Sequence, residues 1–253
     1  MSVKIALLKT SLNDYPGLVS SVFFFPSCNL RCPWCHNRDL VLGTAELISI
    51  DEGLAHISKR RSVLGGVVLS GGEPCLNPEL PDIIREIKNI RLPAGNLSLS
   101  VKLDTNGMFP RILEKLFSQE ETRADYIALD LKTAPRRYRE LLPAGNRQVS
   151  ESKLFSPEEA LTQSAALIRS SRIAHEYRSL ALPNGFFTEK DIEALAPLVD
   201  NAPWYFRPFK AGNCLDPAWD SLEENSKDAS SRADVLAIKA RELGKNGIAP
   251  NSN

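Results

Sequence analysis

The sequence predicts an α/β fold: parallel strands alternating with helices and curling into an open, partial (β/α)6 barrel. Three observations carry this. Six short segments that read as strands recur along the chain, by apolar runs, by alternation or by β-branched and aromatic content. Between them lie stretches with helical periodicity or helix-start signals, the pattern of βαβ units on one parallel sheet. The count is six, and a closed barrel of this kind needs eight. The length of 253 residues suits a single barrel domain, taken here as 1–220, with a C-terminal helix and tail over 221–253.

The elements follow in order. Leu18–Phe25, bounded by Gly17 and Pro26, reads as a buried strand that delivers a cysteine-rich loop at its carboxyl end. Ser49-x-x-Glu52 is a capping box that opens a helix to about Arg61. Gly66–Leu69 is the next strand and ends in Ser70-Gly71-Gly72-Glu73-Pro74. Leu80–Ile90 reads as a helix. Leu97, Leu99, Val101 and Leu103 alternate as a strand should, and Asp104-Thr105-Asn106-Gly107 follows. Pro110–Phe117 is a short helix, and Tyr126–Leu131 a strand with Asp130 and Lys132 at its end. Ser156-Pro157-Glu158-Glu159 is a second capping box, with proline at the first helical position, and starts a helix to about Ser170. Glu176–Leu182 is strand-like, Thr188–Val199 helical and Trp204–Phe206 the sixth strand. A polar stretch after Asp220 leads to an amphipathic helix near Arg232–Leu243.

Composition narrows the function. Thirty-one basic residues balance 31 acidic ones, so no global field favours nucleic acid or an anionic membrane. The runs Lys59–Arg61 and Arg136–Arg139 read as solvated helix faces. No stretch approaches the roughly 20 apolar residues of a membrane span. The amino terminus lacks the apolar core and cleavage site of a signal peptide, so a cytoplasmic location is expected. Five cysteines, three of them clustered, read as a metal site in a reducing compartment.

That cluster is Cys28-Asn-Leu-Arg-Cys32-Pro-Trp34-Cys35. Three thiols at C-x3-C-x2-C can converge on one metal centre. A structural zinc site or a saturated iron–sulfur cluster takes four ligands, so three local thiolates leave one position open. His36 would complete a zinc set, although adjacent residues are poorly placed to chelate one tetrahedral ion. A zinc-binding interaction module therefore stays as an alternative reading.

The stretch CNLRCPWCHN resembles the radical S-adenosylmethionine (SAM) signature, C-x3-C-x-aromatic-C. Its context, DYPGLVSSVFFFPSCNLRCPWCHNRDL, with SGGEP, DTNG and ALDLK following in order, is similar to the glycyl-radical-enzyme activases, nearest to those of anaerobic ribonucleoside-triphosphate reductase. The likeness runs from about Asp14 to Asp220. It implies a barrel of the radical SAM type. It also implies one [4Fe–4S] cluster on Cys28, Cys32 and Cys35, with SAM on the fourth iron. Reductive cleavage of SAM to a 5′-deoxyadenosyl radical, and abstraction of a glycine hydrogen in a partner enzyme, are the implied chemistry. The implied partners are a glycyl radical enzyme, anaerobic ribonucleoside-triphosphate reductase first, and a flavodoxin- or ferredoxin-type electron donor. A small-molecule enzyme resembling 7-carboxy-7-deazaguanine synthase is the alternative within the superfamily.

The resemblance also suggests roles at the strand ends. Trp34 packs on adenine or the cluster, or is a core tryptophan. His36 joins the SAM shell or bonds locally. Gly71, Gly72, Glu73 and Pro74 offer backbone carbonyls and a carboxylate to the SAM ammonium, or form an ordinary strand-to-helix loop. Asp104, Thr105 and Asn106 face the ribose or a monovalent cation, or make an Asx turn. Asp130 and Lys132 share one side of their strand; Lys132 suits the SAM carboxylate, unless the pair serves the barrel interior. Arg178 corresponds to the arginine of the activases' R-x4-P strand, and a carboxylate is its matching partner. Pro208-Phe209-Lys210 departs from the usual Pro-aromatic-His. Cys75 and Cys214 read as small buried hydrophobes.

Overall fold

The computed structural model describes residues 2–93, 97–144, 155–183, 185–222 and 226–250. Nine strands occur among them: β1 Lys4–Ser11, β2 Ser20–Phe25, β3 Ile48–Ser49, β4 Gly66–Gly71, β5 Ser100–Thr105, β6 Tyr126–Asp130, β7 Ala174–Ala181, β8 Trp204–Pro208 and β9 Gly247–Ile248. Seven helices accompany them: α1 Arg38–Leu42, α2 Ile50–Lys59, α3 Leu80–Asn89, α4 Pro110–Phe117, α5 Pro157–Ser171, α6 Glu189–Leu195 and α7 Ser226–Glu242. The strand order β3-β1-β2-β4-β5-β6-β7-β8-β9 has two ends. The sheet is therefore open, as expected. All six expected strands form; β1, β3 and β9 are additions.

The chain divides into two compact units. The first comprises Met1–Asn29, Asp39–Thr105 and Arg111–Ile127; the second comprises Leu30–Arg38, Asn106–Pro110 and Ala128–Asn253.

In the first unit β2 pairs parallel with β4, Ser20 opposite Gly66 through Phe25 opposite Gly71. β4 continues parallel to β5, with Val67 opposite Val101. β1 runs antiparallel to β2. Val67, Val68 and Leu69 are all fully buried, so this strand is apolar on both faces, as a covered parallel sheet requires. α2 starts where expected: Ser49 and Glu52 cap each other's backbone. A Cβ on Gly53 would come within 2.8 Å of Ile5 Cδ1, so the helix lies close on β1. α3 buries Leu80, Ile83, Ile84 and Ile87, the spacing of one helical face. Each such side chain contributes about 1.5–3 kcal/mol on removal from water.

One boundary and one added strand differ from expectation here. The strand expected from Leu97 starts at Ser100, because Leu97 is 68% exposed and its carbonyl accepts from the Leu92 amide. β1 went unnoticed because Ile5 is its one fully buried residue.

In the second unit β7, β8 and β9 pair parallel, with Arg178 opposite Tyr205 and Leu180 opposite Arg207. α5 carries the expected capping box of Ser156 and Glu159. α6 stops at Leu195, short of the expected Val199, and Pro197 sits in the 3-10 turn that follows. α7 begins six residues before the expected Arg232. Its buried stripe is Ala229, Ala233, Leu236, Ala237 and Ala240, and alanine is a faint hydrophobic signal.

Candidate active site

The cysteine loop leaves β2 through Ser27, which holds a positive φ of 68°. None of the three cysteines is in a disulfide; Cys32 is buried, Cys28 and Cys35 partly so. Cys28 belongs to the first unit, Cys32 and Cys35 to the second. Within the loop the Cys35 amide donates to the Cys32 carbonyl at 3.0 Å, and the Arg31 amide donates to Leu141 O at 2.7 Å.

In the first unit the glycine pair that ends β4 clamps the residues ahead of Cys28. Gly72 N–H donates to Phe25 O at 2.8 Å, and Glu73 N–H to Ser27 O at 3.0 Å. A Cβ on Gly72 would stand 1.7 Å from Ser27 O; Gly71 adopts φ 111°, and a Cβ there would stand 2.4 Å from Phe25 N. Both glycines thus answer to backbone packing against the loop's entrance. The Glu73 carboxyl is buried and its Oε1 accepts from the Cys75 amide (3.1 Å) and the Thr105 hydroxyl (2.9 Å). Cys75 is buried, its Sγ 3.7 Å from Thr105 Oγ1. Asp104 receives Lys102 Nζ at 2.6 Å and the Ser70 hydroxyl at 3.0 Å; Lys102 is 2% exposed, so this carboxylate balances a buried cation.

The second unit holds a cavity of roughly 200 Å3. Its wall includes Trp34, Asp130, Lys132, Arg178, Ser179 and Arg207. Four of the residues singled out in the sequence thus share one cavity. Arg178 Nε donates to Asp130 Oδ1 at 2.7 Å, and Lys132 Nζ reaches Asp130 Oδ2 at 3.3 Å. Burial alone would raise the Asp130 pKa; the Arg178 and Lys132 charges outweigh it and hold the carboxyl far below the ordinary range. Burial likewise opposes the Lys132 charge, but Asp130 and the Cys32 thiol, with smaller effects from Tyr138 and Cys35, drive its pKa up.

Tyr138 fixes this corner and was missed in the sequence. Its hydroxyl accepts from the Lys132 amide at 2.9 Å and donates to Asp130 O at 3.2 Å. Ser179 Oγ donates to Leu131 O at 2.7 Å and accepts from Trp204 Nε1 at 3.1 Å, satisfying two groups below the cavity.

Trp34 is 3% exposed and packs against Phe186 at 4.6 Å and Trp219 at 5.2 Å between ring centroids. Phe209 lies 5.7 Å from Trp219 and 6.1 Å from His36. The segment that carries Trp219 is tied to the cysteine loop: Asp216 N–H donates to Pro33 O at 2.9 Å. Asn213 Nδ2 also reaches His36 O at 3.5 Å. Cys214 is fully buried, as expected. Asn106 is buried, and its Oδ1 accepts from the Met108 amide, the Asx geometry foreseen for DTNG. Of the basic run, Arg136 is exposed, whereas Arg137 bonds Asp191 and Phe186 O.

The donor set suits an iron–sulfur cluster. Soft thiolates select such clusters, and Cys32 and Cys35 stand close enough to Lys132 to bear on its charge. Among the described residues no group of three or more His, Cys, Asp or Glu side chains is arranged to hold a single metal ion. A cubane cluster asks instead for one thiolate on each of three irons.

Residues 22–154 match the radical SAM superfamily. The chain belongs to that superfamily. It is a radical SAM enzyme, and a [4Fe–4S] cluster with SAM is the equipment the family implies. A Methanocaldococcus jannaschii protein with the provisional name glycyl-radical enzyme activating enzyme is 27% identical over 242 residues, 92% of this radical SAM chain and 94% of that protein. The GTP 3′,8-cyclase of Limosilactobacillus fermentum is 30% identical over 128 residues, 47% of this chain and only 35% of the cyclase. Among solved structures, a radical SAM methyltransferase from Sphaerobacter thermophilus superposes with TM-score 0.57 at 14% identity, covering 89% of this chain and 65% of that one. The anSMEcpe structure with bound AdoMet and the Cp18Cys peptide gives TM-score 0.56 at 17% identity, covering 88% and 60%. These likenesses show the radical SAM fold. No helix among the described residues is long and apolar enough to cross a membrane.

Proposed function

We propose that this chain is a glycyl-radical-enzyme activase. The observation that carries the reading is the cavity in which Lys132 and Arg178 share Asp130 beside Trp34, the aromatic of the cysteine motif. Likeness over nearly the full length of the M. jannaschii protein supports the same reading. Cys28, Cys32 and Cys35 would hold the cluster. With SAM bound, it would supply a 5′-deoxyadenosyl radical by reductive cleavage of the sulfonium C–S bond.

The chain's own residues then bind and orient. Two cations on one carboxylate leave a positive charge over, the complement of the SAM carboxylate. Trp34 walls the site from water, and His36 belongs to the same loop. Glu73, with the Gly71–Gly72 turn and Pro74, is assigned to the SAM ammonium. Thr105 and Asn106 are assigned to the ribose. A monovalent cation at Asp104 would have to share it with Lys102. The partner is a glycyl radical enzyme, by resemblance anaerobic ribonucleoside-triphosphate reductase, served by a flavodoxin- or ferredoxin-type donor in the cytoplasm.

The test is anaerobic. The protein is reconstituted with iron and sulfide, reduced, and mixed with SAM and the reductase, and the EPR spectrum is recorded. A glycyl doublet that disappears in Cys32→Ala is expected. Formation of 5′-deoxyadenosine without any partner radical would retain the family and reject this partner. No cluster and no cleavage would reject the reading.

A further inference from the structure

Arg207 has no part in the assignments above, yet it lines the same cavity. It sits near the carboxyl end of β8, in register with Leu180 of β7, two residues beyond Arg178. Neighbours in a parallel register point to the same face, so Arg178, Leu180 and Arg207 share one side of the sheet. Two residues along a strand and one strand across put the two arginine Cα atoms about 8 Å apart. Two guanidiniums at that spacing can hold two separate anionic groups.

The charges bear this out. The cavity wall carries Lys132, Arg178 and Arg207 against the single carboxylate Asp130. Asp130 is engaged by the first two cations. Arg207 is solvent-exposed. It is thus the cation available to whatever approaches from outside.

We propose that Arg207 recognises an anionic group of the second ligand, the molecule that receives the radical, and is a specificity residue of this enzyme. Under the activase reading, on which this rests, that group is an Asp or Glu side chain in the partner segment beside the target glycine. An arginine pairs a carboxylate or a phosphate through the same two-pronged hydrogen bonding, so the chemistry is shared by an acidic peptide and a phosphate-bearing small molecule.

The test is a titration of the reconstituted, SAM-loaded protein with three probes. These are a glycine-centred heptapeptide carrying one Glu, its Gln counterpart, and pyrophosphate. Wild type is expected to favour the Glu peptide over the Gln peptide by about tenfold, the effect of one hydrogen-bonded ion pair. Arg207→Gln should erase the preference, and Arg207→Lys should keep part of it. SAM affinity should be equal in all three proteins. Pyrophosphate binding lost in Arg207→Gln, with no peptide preference, would uphold the anion role and reject an acidic partner segment as its target, leaving the activase reading to the EPR experiment. Failure of wild type to discriminate on either probe would overturn the proposal. So would a loss of SAM affinity in Arg207→Gln, which would assign the guanidinium to SAM.

Discussion

Arg178 and Lys132 meet on opposite oxygens of one carboxylate, Asp130, at 2.7 and 3.3 Å. The strand ends are thereby cross-linked before any ligand arrives. Asp130→Asn should cost about 1–3 kcal/mol in urea denaturation, since two part-buried cations lose their counter-charge. The pH dependence has a definite sign. The folded-state pKa of Asp130 lies below its unfolded value near 4. The pair's contribution is therefore present above about pH 4 and fades as pH falls through the folded value. The stability difference between wild type and Asp130→Asn should shrink along that acid limb. A difference independent of pH would show that the ion pair is not its source.

Tyr138→Phe keeps the ring and removes the hydroxyl that joins Lys132 N–H to Asp130 O. Tyr138 is fully buried, so both backbone groups lose a partner where water cannot replace it. A loss of about 1–3 kcal/mol is expected by chemical denaturation. SAM affinity should fall as well, because the strand end that presents Lys132 loosens. Unchanged affinity would separate the hydroxyl from the site.

Gly72→Ala and Gly17→Ala make a contrasting pair. At Gly72 a Cβ collides with Ser27 O, whereas Gly17 has a positive φ of 74° and open space around it. Alanine at 72 should cost about 3 kcal/mol or more, because backbone must move. Alanine at 17 should cost about 1–2 kcal/mol, the strain of left-handed backbone alone. Iron incorporation should drop in the first variant and hold in the second.

Cys214 should resist alkylation. Burial, and then the Asp220 carboxylate beside it, push its pKa up to about 11. At pH 8 roughly one thiol in a thousand is thiolate. Mass spectrometry after brief iodoacetamide treatment of the apoprotein should find Cys214 unmodified and Cys28 and Cys35 labelled. Rapid labelling of Cys214 would mean that the 209–220 segment opens readily.

The sequence was informative wherever a residue's role is local. The capping boxes at Ser49 and Ser156 set helix starts correctly, and period-two alternation brings Lys132, just past the end of β6, to the side of Asp130. The need for glycine in SGGEP is legible from its turn, although the contact that demands it is with Phe25 and Ser27, 45 residues or more away in the chain. Tyr138, Phe186 and Trp219 carried no signal, because their importance comes from tertiary neighbours: a strand-end backbone and the ring of Trp34. Arg207 could have been noticed by extending the alternation logic of β6 to β8. β1 and α7 were missed or clipped for a common reason: each buries too little bulky apolar surface to stand out.

The clamp between the Gly71–Gly72 turn and the residues ahead of Cys28 is made from main-chain atoms. Anchor and cargo are thereby decoupled: what the cysteine loop carries can be edited without touching what holds its entrance in place. Replacements of its accessible side chains, Arg31, Cys35 and His36, should thus yield folded proteins whose defects are chemical, whereas the buried Leu30 and Trp34 also carry packing.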